Sequence, residues 1–462
     1  VSSNDRGLQQ LIVEAREIGA VEGPVRDQIV LDIYRHAQQI TGQVVKGQRT
    51  KGELDQRIDN IVTSKILGYP LMLALLGLIF WLTVTGANYP SQLLADLLFG
   101  FQDRLTFFCQ WAGAPDWLHG LLVLGLYRCL AWVVSVMLPP MAIFFPLFTF
   151  LEDLGYLPRV AFNLDRLFKR AGAHGKQVLT MCMGFGCNAA GVTACRIIES
   201  PRERLIAVLT NNFVPCNGRF PLLITMAMVL LGALGGNTNP LYASLFVAGT
   251  VVLGVLVTLL VSWLLSQTLL KGVPSTFTLE LPSYRWPKIG TLVIRSVFDR
   301  TLFVLFRAVV VAAPAGALIW ILANVEVGGV SIIGHLGGWL HGFGYLLGLD
   351  GYIILAFILG LPANEIVIPI LLMSYLSEGV MLEPDSLEAL RGLLVANGWT
   401  WLTALNMMLF SLFHFPCGTT LLTIRKETQS LKWTLLAALI PTGVAVVVCF
   451  LVAQVVRALG LV

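Results

Sequence analysis

Polar and apolar residues fall in long blocks along this chain. Residues 1 to 60 are polar and charged, with an apolar series at Ile29, Ile33, Ala37 and Ile40 whose spacing predicts an amphipathic helix. From residue 66 onward, seven apolar blocks lie at 66–86, 119–150, 203–232, 241–270, 301–323, 400–424 and 433–457. Each is long enough to cross a hydrocarbon core of about 30 Å, which takes about twenty helical residues. Two further blocks, 177–198 and 350–376, are interrupted. In the first, Gly184, Gly186 and Gly191 flank Cys187 and Asn188; in the second, Gly360, Pro362, Asn364 and Pro369 surround Glu365. Both predict broken or re-entrant helices, because irregular backbone at membrane depth is tolerated only where protein or a water-filled cavity shelters it.

The expected fold is an all-α polytopic membrane protein, with about seven spanning helices and two re-entrant or broken helices in an inverted repeat. The expected domains are a helical lead-in at 1–64, a first membrane helix with an external amphipathic segment at 65–118, a first half at 119–275, a linker at 276–300 and a second half at 301–462.

Composition supports a membrane class: of 462 residues, 56% are hydrophobic and 13% charged, and the mean hydropathy is +0.77. A soluble domain carries nearer a quarter of charged residues. The net charge of +4 comes from basic residues scattered over short loops, which leaves no basis for a nucleic-acid partner. Lys and Arg collect on the cytoplasmic side of membrane proteins. With the N-terminus inside and both interrupted blocks re-entrant, 25 of the 31 Lys and Arg residues lie inside. Arg104, Arg391 and Arg457 fall outside, and Arg128, Arg219 and Arg307 lie in or near spans. A full crossing at 350–376 would instead put the acidic loop with Glu378, Glu383, Asp385 and Glu388 in the cytosol and basic Arg425 and Lys426 outside. The first sixty residues are too polar for a cleavable signal peptide, and a start at Val rather than Met is that of a fragment or split protein.

Chemistry concentrates at the interruptions. The eight cysteines form no CxxC pair, and most are expected to be small buried hydrophobes. Cys187, Cys216 and Cys417 differ because each sits within a helix break. Thiolates suit transition metals rather than Mg or Ca. Glu365 is an acidic group at membrane depth, by default functional as a ligand or proton site; hydration at the exterior mouth is the bland reading. Asn188 and Asn364 are neutral oxygen ligands or helix caps. His414, three residues before Cys417, would share a helix face with it, though a packing role is the ordinary one. Arg219 would pair with a carboxylate such as Glu365. Gly42 to Thr50, GQVVKGQRT, has the glycine spacing of a phosphate loop but Gln48 and Arg49 where Lys and Ser or Thr are required, so no nucleotide site is expected. Ser200-Pro201-Arg202-Glu203 is a capping box that starts the span at 203.

The order Gly-Phe-Gly-Cys-Asn then Phe-Val-Pro-Cys-Asn parallels Gly-Leu-Pro-Ala-Asn-Glu then Phe-Pro-Cys-Gly. Inverted repeats of this kind place a substrate site near the midplane. LEDLGYLPRVAFNLDRLFKRAG at 151–172, GFGCN at 184–188, RIIESPRERL at 196–205, Cys216-Asn217-Gly218-Arg219, FPC at 415–417 and KETQSLKW at 426–433 resemble the membrane part of the FeoB ferrous iron transporter family, with its two Gate regions. The resemblance covers about 50 to 460, and what precedes is similar to the tail of the family's helical spacer. It implies Fe(II) as transported substrate across a bacterial cytoplasmic (inner) membrane, with a cytosolic N-terminus. Cys187, Cys216 and Cys417 stand at the family's Gate cysteine positions, and Glu365 at an acidic position of its second Gate. It also implies a cytosolic GTPase domain or chain, small accessory proteins and a homo-oligomer as partners beside the lipid bilayer. The chain departs from the family at Ala189 and Ala190, where a proline is usual, at Asn364, where lysine is common, and in carrying no G domain. A carrier of an organic solute such as a nucleoside, and a membrane scaffold that docks a GTPase, are the alternatives; no haem or flavin motif favours a redox enzyme.

Overall fold

Capping residues and apolar blocks set where the helices begin and end. The computed structural model describes residues 25–44, 50–64, 66–233, 240–272, 284, 286–376, 379, 381 and 387–461. Residues 45–49 of the glycine-spaced stretch, and Glu378, Glu383 and Asp385 of the acidic loop, lie outside the described residues. The chain divides into two units, Val1–Ile58 and Asp59–Val462. The first contains α1 (Val25–Val44), and α2 (Thr50–Val62) runs over the division. The second holds α3 (Gly68–Trp111), α4 (Asp116–Asp153), α5 (Tyr156–Arg170), α6 (Gln177–Gly186), α7 (Asn188–Ala194), α8 (Pro201–Thr210), α9 (Phe220–Ala233), α10 (Pro240–Gln267) and α11 (Ile289–Arg295). It continues through α12 (Phe303–Asn324), a small hairpin of β1 (Glu326–Val327) and β2 (Val330–Ser331), α13 (Ile332–Leu346), α14 (Gly351–Leu359), α15 (Val367–Leu376), α16 (Leu387–Ala396), α17 (Trp401–Phe413), α18 (Gly418–Thr428) and α19 (Leu431–Ala458).

Among the described residues, seven segments are long and apolar enough to cross a membrane: Gly68–Trp111, Asp116–Asp153, Pro201–Gly232, Leu245–Gln267, Val304–Asn324, Trp401–Thr428 and Leu431–Ala458. Each contains or overlaps one of the seven expected blocks. Ser200 Oγ accepts from the Glu203 N–H, so the capping box starts α8 as its sequence predicts.

Two elements differ from expectation. The helix expected to stop near residue 86 runs unbroken to Trp111 through Pro90, a length of about 66 Å at 1.5 Å per residue. Pro90 faces the carbonyl of Gly86, where no side chain adds to the crowding of its ring. The second is α13, which forms with α14 a helix pair bent by 110°. Its glycine-rich sequence hides an apolar helix, and the glycines let the pair close: a Cβ on Gly351 would lie 1.9 Å from the Gly337 carbonyl oxygen.

Two spans are more enclosed than the rest. Pro201–Gly232 and Trp401–Thr428 are buried over 61% and 78% of their apolar windows, the other five over 19–33%, which places these two at the centre. Both are broken. The first passes through short 3₁₀ turns at Asn211–Phe213 and Asn217–Arg219, and the second is extended from His414 to Cys417. Breaks free carbonyls that a continuous helix would satisfy. Arg219, fully buried, takes them up: Nη1 donates to Asn212 O (2.9 Å) and Leu412 O (3.0 Å), and Nη2 to Asn212 Oδ1 (3.1 Å), Phe415 O (3.2 Å) and His414 O (3.3 Å). Asn212 Nδ2 adds a bond to His414 O at 2.6 Å, and the Phe213 and Phe413 rings meet edge-on at 6.1 Å. The guanidinium thereby fastens one broken span to the other.

A second polar anchor lies at the end of α2. Arg159 on α5, 1% exposed, donates from Nε to Asp59 Oδ1 (2.7 Å), from Nη2 to Asp59 Oδ2 (3.3 Å) and from Nη1 to Gly155 O (2.7 Å). The Tyr284 hydroxyl donates to Asp59 Oδ1 at 2.9 Å, and the guanidinium stacks 3.8 Å from the Tyr284 ring centroid. Burial by itself would raise the Asp59 carboxyl, but the bonds from Arg159 and Tyr284 outweigh it and hold the group below its ordinary value.

Two outcomes follow for stability. Arg219→Lys should lower stability by about 2–4 kcal/mol, because one ammonium cannot span carbonyls on both spans; a melting temperature in detergent equal to wild type would refute the clamp. Arg159→Met should cost about 2–3 kcal/mol by leaving the Asp59 carboxylate with the Tyr284 hydroxyl but no balancing charge. A depressed carboxyl stabilises above its unfolded value near 4 and loses that contribution as pH falls through the folded value. The acid limb of the melting curve below about pH 4 should therefore be shallower in Arg159→Met.

Candidate functional site

The breaks converge. Cys187 separates α6 from α7 in extended backbone (φ −153°, ψ 126°), and Ala363 takes up the same conformation (φ −153°, ψ 127°) before the 3₁₀ turn Asn364–Ile366. Each is followed by an asparagine. Cys216 (φ −82°, ψ 168°) and Cys417 (φ −60°, ψ 159°) are likewise extended, each preceding a helical segment. Four segments distant in sequence thus present the same two local geometries, each a residue that ends one helical run and opens the next.

Between them lies a small cavity, about 20 Å³ as measured for the centre of a water-sized sphere, room for one water or a bare ion. Of the residues singled out in the sequence, Cys187, Asn188, Cys216, Asn364, Glu365 and Cys417 all line it. Glu365 reaches in over Gly218, where a Cβ would lie 2.1 Å from Oε1. The absence of a side chain there is what admits the carboxylate. Among the described residues no three His, Cys, Asp or Glu side chains are grouped closely enough to hold a metal ion, so the thiols line the cavity without forming a preassembled centre.

The surrounding polar atoms are tied into one network. Asn188 Nδ2 donates to Asn212 Oδ1 (3.2 Å). That orientation of Asn188 is the consistent one, because Asn212 Oδ1 already accepts from Arg219 and its Nδ2 donates to His414 O. Asn211 Nδ2 donates to Asn188 O (3.2 Å). The Asn364 amide lies between His414 Nε2 (3.3 Å) and Cys216 Sγ (4.0 Å). His414 Nδ1 sits 2.9 Å from Ser411 O and 3.1 Å from Phe410 O, so it carries a proton. In the neutral ring Nε2 then accepts, which turns the Asn364 nitrogen to the histidine and its oxygen to the thiol. The Cys417 Sγ is 3.2 Å from Thr420 Oγ1, and Gly418 N donates to Leu361 O (2.7 Å), joining the two breaks of the second half.

Two residues stand differently from their expected places. His414 does not line the cavity: its ring packs against Phe357, Phe410 and Phe415 with centroids at 4.8, 5.9 and 5.1 Å. Nor does it share a helix face with Cys417, because the extended stretch 414–417 intervenes. Arg219 does not pair with Glu365, and no ion pair involving it occurs among the described residues; its guanidinium is committed to carbonyls. Sequence reasoning also passed over Met137, Met141, Gly218 and Thr419 as site residues, and these too line the cavity. Met137 and Met141 carry a weak signal, four residues apart across Pro139-Pro140. Gly218 and Thr419 carry a clearer one, since each stands two residues after the cysteine of a Pro-Cys pair.

Comparison with known proteins accords with this arrangement. Residues 134–230 and 305–431 match the Gate family, described as "Nucleoside recognition", and residues 247–299 match "Ferrous iron transport protein B C terminus". The Fe(2+) transporter FeoB of Staphylococcus aureus (strain MSSA476) is 31% identical over 415 residues, 88% of this chain and 60% of the relative. That of Methanocaldococcus jannaschii is 26% identical over 438 residues, 92% of this chain and 62% of the relative. A fusion of Fe(2+) transport protein A with FeoB from Porphyromonas gingivalis is 27% identical over 449 residues, 86% of this chain and 51% of the relative. The chain thus spans about three fifths of the length of the first two relatives. No solved structure matches. With both Gate segments and the C-terminal segment in one chain, in the order and at the positions where the breaks occur, this protein belongs to the FeoB family, of which it corresponds to the membrane part.

Proposed function

We propose that the chain carries ferrous iron across a bacterial cytoplasmic membrane, through the cavity lined by Cys187, Cys216, Cys417 and Glu365, with Asn188 and Asn364 supplying neutral oxygens. The observation that carries this reading is the convergence of three thiols and one carboxylate from four helix breaks on a cavity the size of an ion. Fe(II) accepts thiolate, carboxylate and amide oxygen together, and Zn(II) binds thiolates at least as well. The spacing of the ligands suits transit: a site that binds moderately at several points lets an ion leave as well as enter.

The matching halves support an inverted repeat, with 119–275 and 301–462 as its two Gate-like parts, which sets the site where alternating access requires it. The asymmetry of Lys and Arg supports a cytosolic N-terminus. Since relatives of this chain are longer, and one is fused to Fe(2+) transport protein A, a GTPase and small accessory proteins are proposed as its partners. The protein acts as a transporter rather than an enzyme, with iron as cargo.

A nucleoside carrier is the competing reading, favoured by the description of the Gate family. The size of the cavity supports iron. Pockets for small organic molecules run to about 300–1,000 Å³, more than ten times the space between these cysteines.

Flux of Fe(II), Zn(II) and Mn(II) into anaerobic, reduced proteoliposomes tests the proposal, with the same organism's GTPase and GTP added where the chain alone is silent. Cys187→Ser, Cys216→Ser and Glu365→Gln should each lower Fe(II) flux by about tenfold or more at unchanged melting temperature. Full Fe(II) flux in all three variants would sink the thiol-lined path. Gly218→Ala should match Glu365→Gln in its loss, because the added methyl displaces the carboxylate while the backbone at 218 lies in an ordinary helical turn.

A further inference from the structure

Among the described residues that line the cavity, Thr419 carries a fully buried hydroxyl with no hydrogen-bond partner. Its residue is 4% exposed. The reason is local. A helical threonine ordinarily returns its hydroxyl to the carbonyl four residues back, as Thr423 does to Thr419 O at 2.8 Å. Thr419 stands at the second position of α18, so its fourth residue back is Phe415, in the extended stretch, whose carbonyl is taken by Arg219. Neighbouring Thr420 has Cys417 Sγ at 3.2 Å. A buried hydroxyl left unmade costs about 1–3 kcal/mol, and this one borders the cavity where the cation is proposed to pass.

Matching the two Pro-Cys breaks gives this hydroxyl a counterpart. Cys216-Asn217-Gly218 corresponds to Cys417-Gly418-Thr419, and Cys187-Asn188-Ala189 to Ala363-Asn364-Glu365. Gly218 of the first half lies under Glu365 of the second; their counterparts in the matching are Thr419 and Ala189. Each pairing therefore puts one oxygen-bearing side chain beside the thiols: a carboxylate through Glu365 and a hydroxyl through Thr419.

Resting on the proposed transport reading, we infer that Thr419 Oγ1 is a direct oxygen ligand to the dehydrated cation in the cavity, opposite in repeat position to Glu365. The ligand class is a divalent transition ion of borderline softness, which takes mixed sulfur and oxygen donors. Such a ligand has no role in the empty protein, where the hydroxyl is a liability.

That difference in sign is the test. Co(II) is the probe, titrated anaerobically into the purified chain and read by thiolate-to-cobalt absorption and by melting temperature. Thr419→Val removes the hydroxyl and keeps the shape. Without metal it should melt at or above wild type, and it should bind Co(II) about tenfold more weakly. Thr419→Ser should bind within about twofold of wild type. Metal-free Thr419→Val melting well below wild type would show a structural hydroxyl and overturn the inference. So would unchanged Co(II) affinity in Thr419→Val alongside lost affinity in Cys216→Ser and Glu365→Gln, an outcome that leaves the transport reading standing. Unchanged affinity in all of these variants would overturn both.

Discussion

A single buried guanidinium holds the centre of this protein together. Two apolar spans are broken where they pack together, and the breaks free carbonyls that a continuous helix would satisfy. Arg219 satisfies four backbone carbonyls and one amide oxygen on both spans. The arrangement is unusual in that no carboxylate balances the charge among the described residues. The dipoles of converging carbonyls do so instead, and they are available only because the helices are broken. Remove the breaks and the arginine is an isolated charge in a bundle; remove the arginine and the breaks are unsatisfied backbone in hydrocarbon, which membranes do not tolerate. Each feature is the condition for the other.

The cavity is a by-product of that fastening. Holding Phe213 against Phe413 and Asn212 against His414 leaves the cysteines that follow, Cys216 and Cys417, beside the breaks at Cys187 and Ala363. Small residues keep the space open: Gly186, Gly218, Ala308 and Ala363 leave room for an ion and for one carboxylate, and for little else. Reading the site from this end explains why the polar network spends most of its hydrogen bonds away from the cavity. Asn212, Asn211 and His414 bond backbone away from the cavity, while Asn188, Asn364, Glu365, the thiols and Thr419 line the space.

Much of this was legible in the sequence, for a definite reason. Spans are long and their hydropathy signal is strong, so seven were located correctly, and Gly, Pro and Asn inside apolar blocks marked the breaks. Local patterns of this kind need no knowledge of partners. What could not be read were the relations across the fold. His414 lies three residues from Cys417, and spacing suggested a common face, but the chain is extended between them. Arg219 invited a carboxylate, and the carbonyls that it meets instead belong in part to residues nearly 200 positions away. The helix at 332–346 went unseen because its glycines dilute hydropathy, although they are what allows the sharp bend with α14. The first apolar block ends at residue 86, yet its helix continues through Pro90 to Trp111.

Charge balance sets the remaining constraint on the site. On the proposed transport reading, a divalent ion in the cavity stands near the fixed positive charge of Arg219, with one carboxylate, Glu365, to offset it. Neutral thiols and amide oxygens would leave a net positive charge in a low-dielectric interior, where Coulomb energies are several-fold larger than in water. Thiolate rather than thiol is the metal-binding form of cysteine, so occupancy must be accompanied by loss of thiol protons, and metal affinity must fall as protons become abundant. On that reading two events that are separate in a preassembled metal centre, the arrival of the ion and the ionisation of its ligands, go together. A path whose ligands are charged only while the ion is present releases it more readily than one whose ligands are always charged, and a carrier needs that release as much as it needs binding.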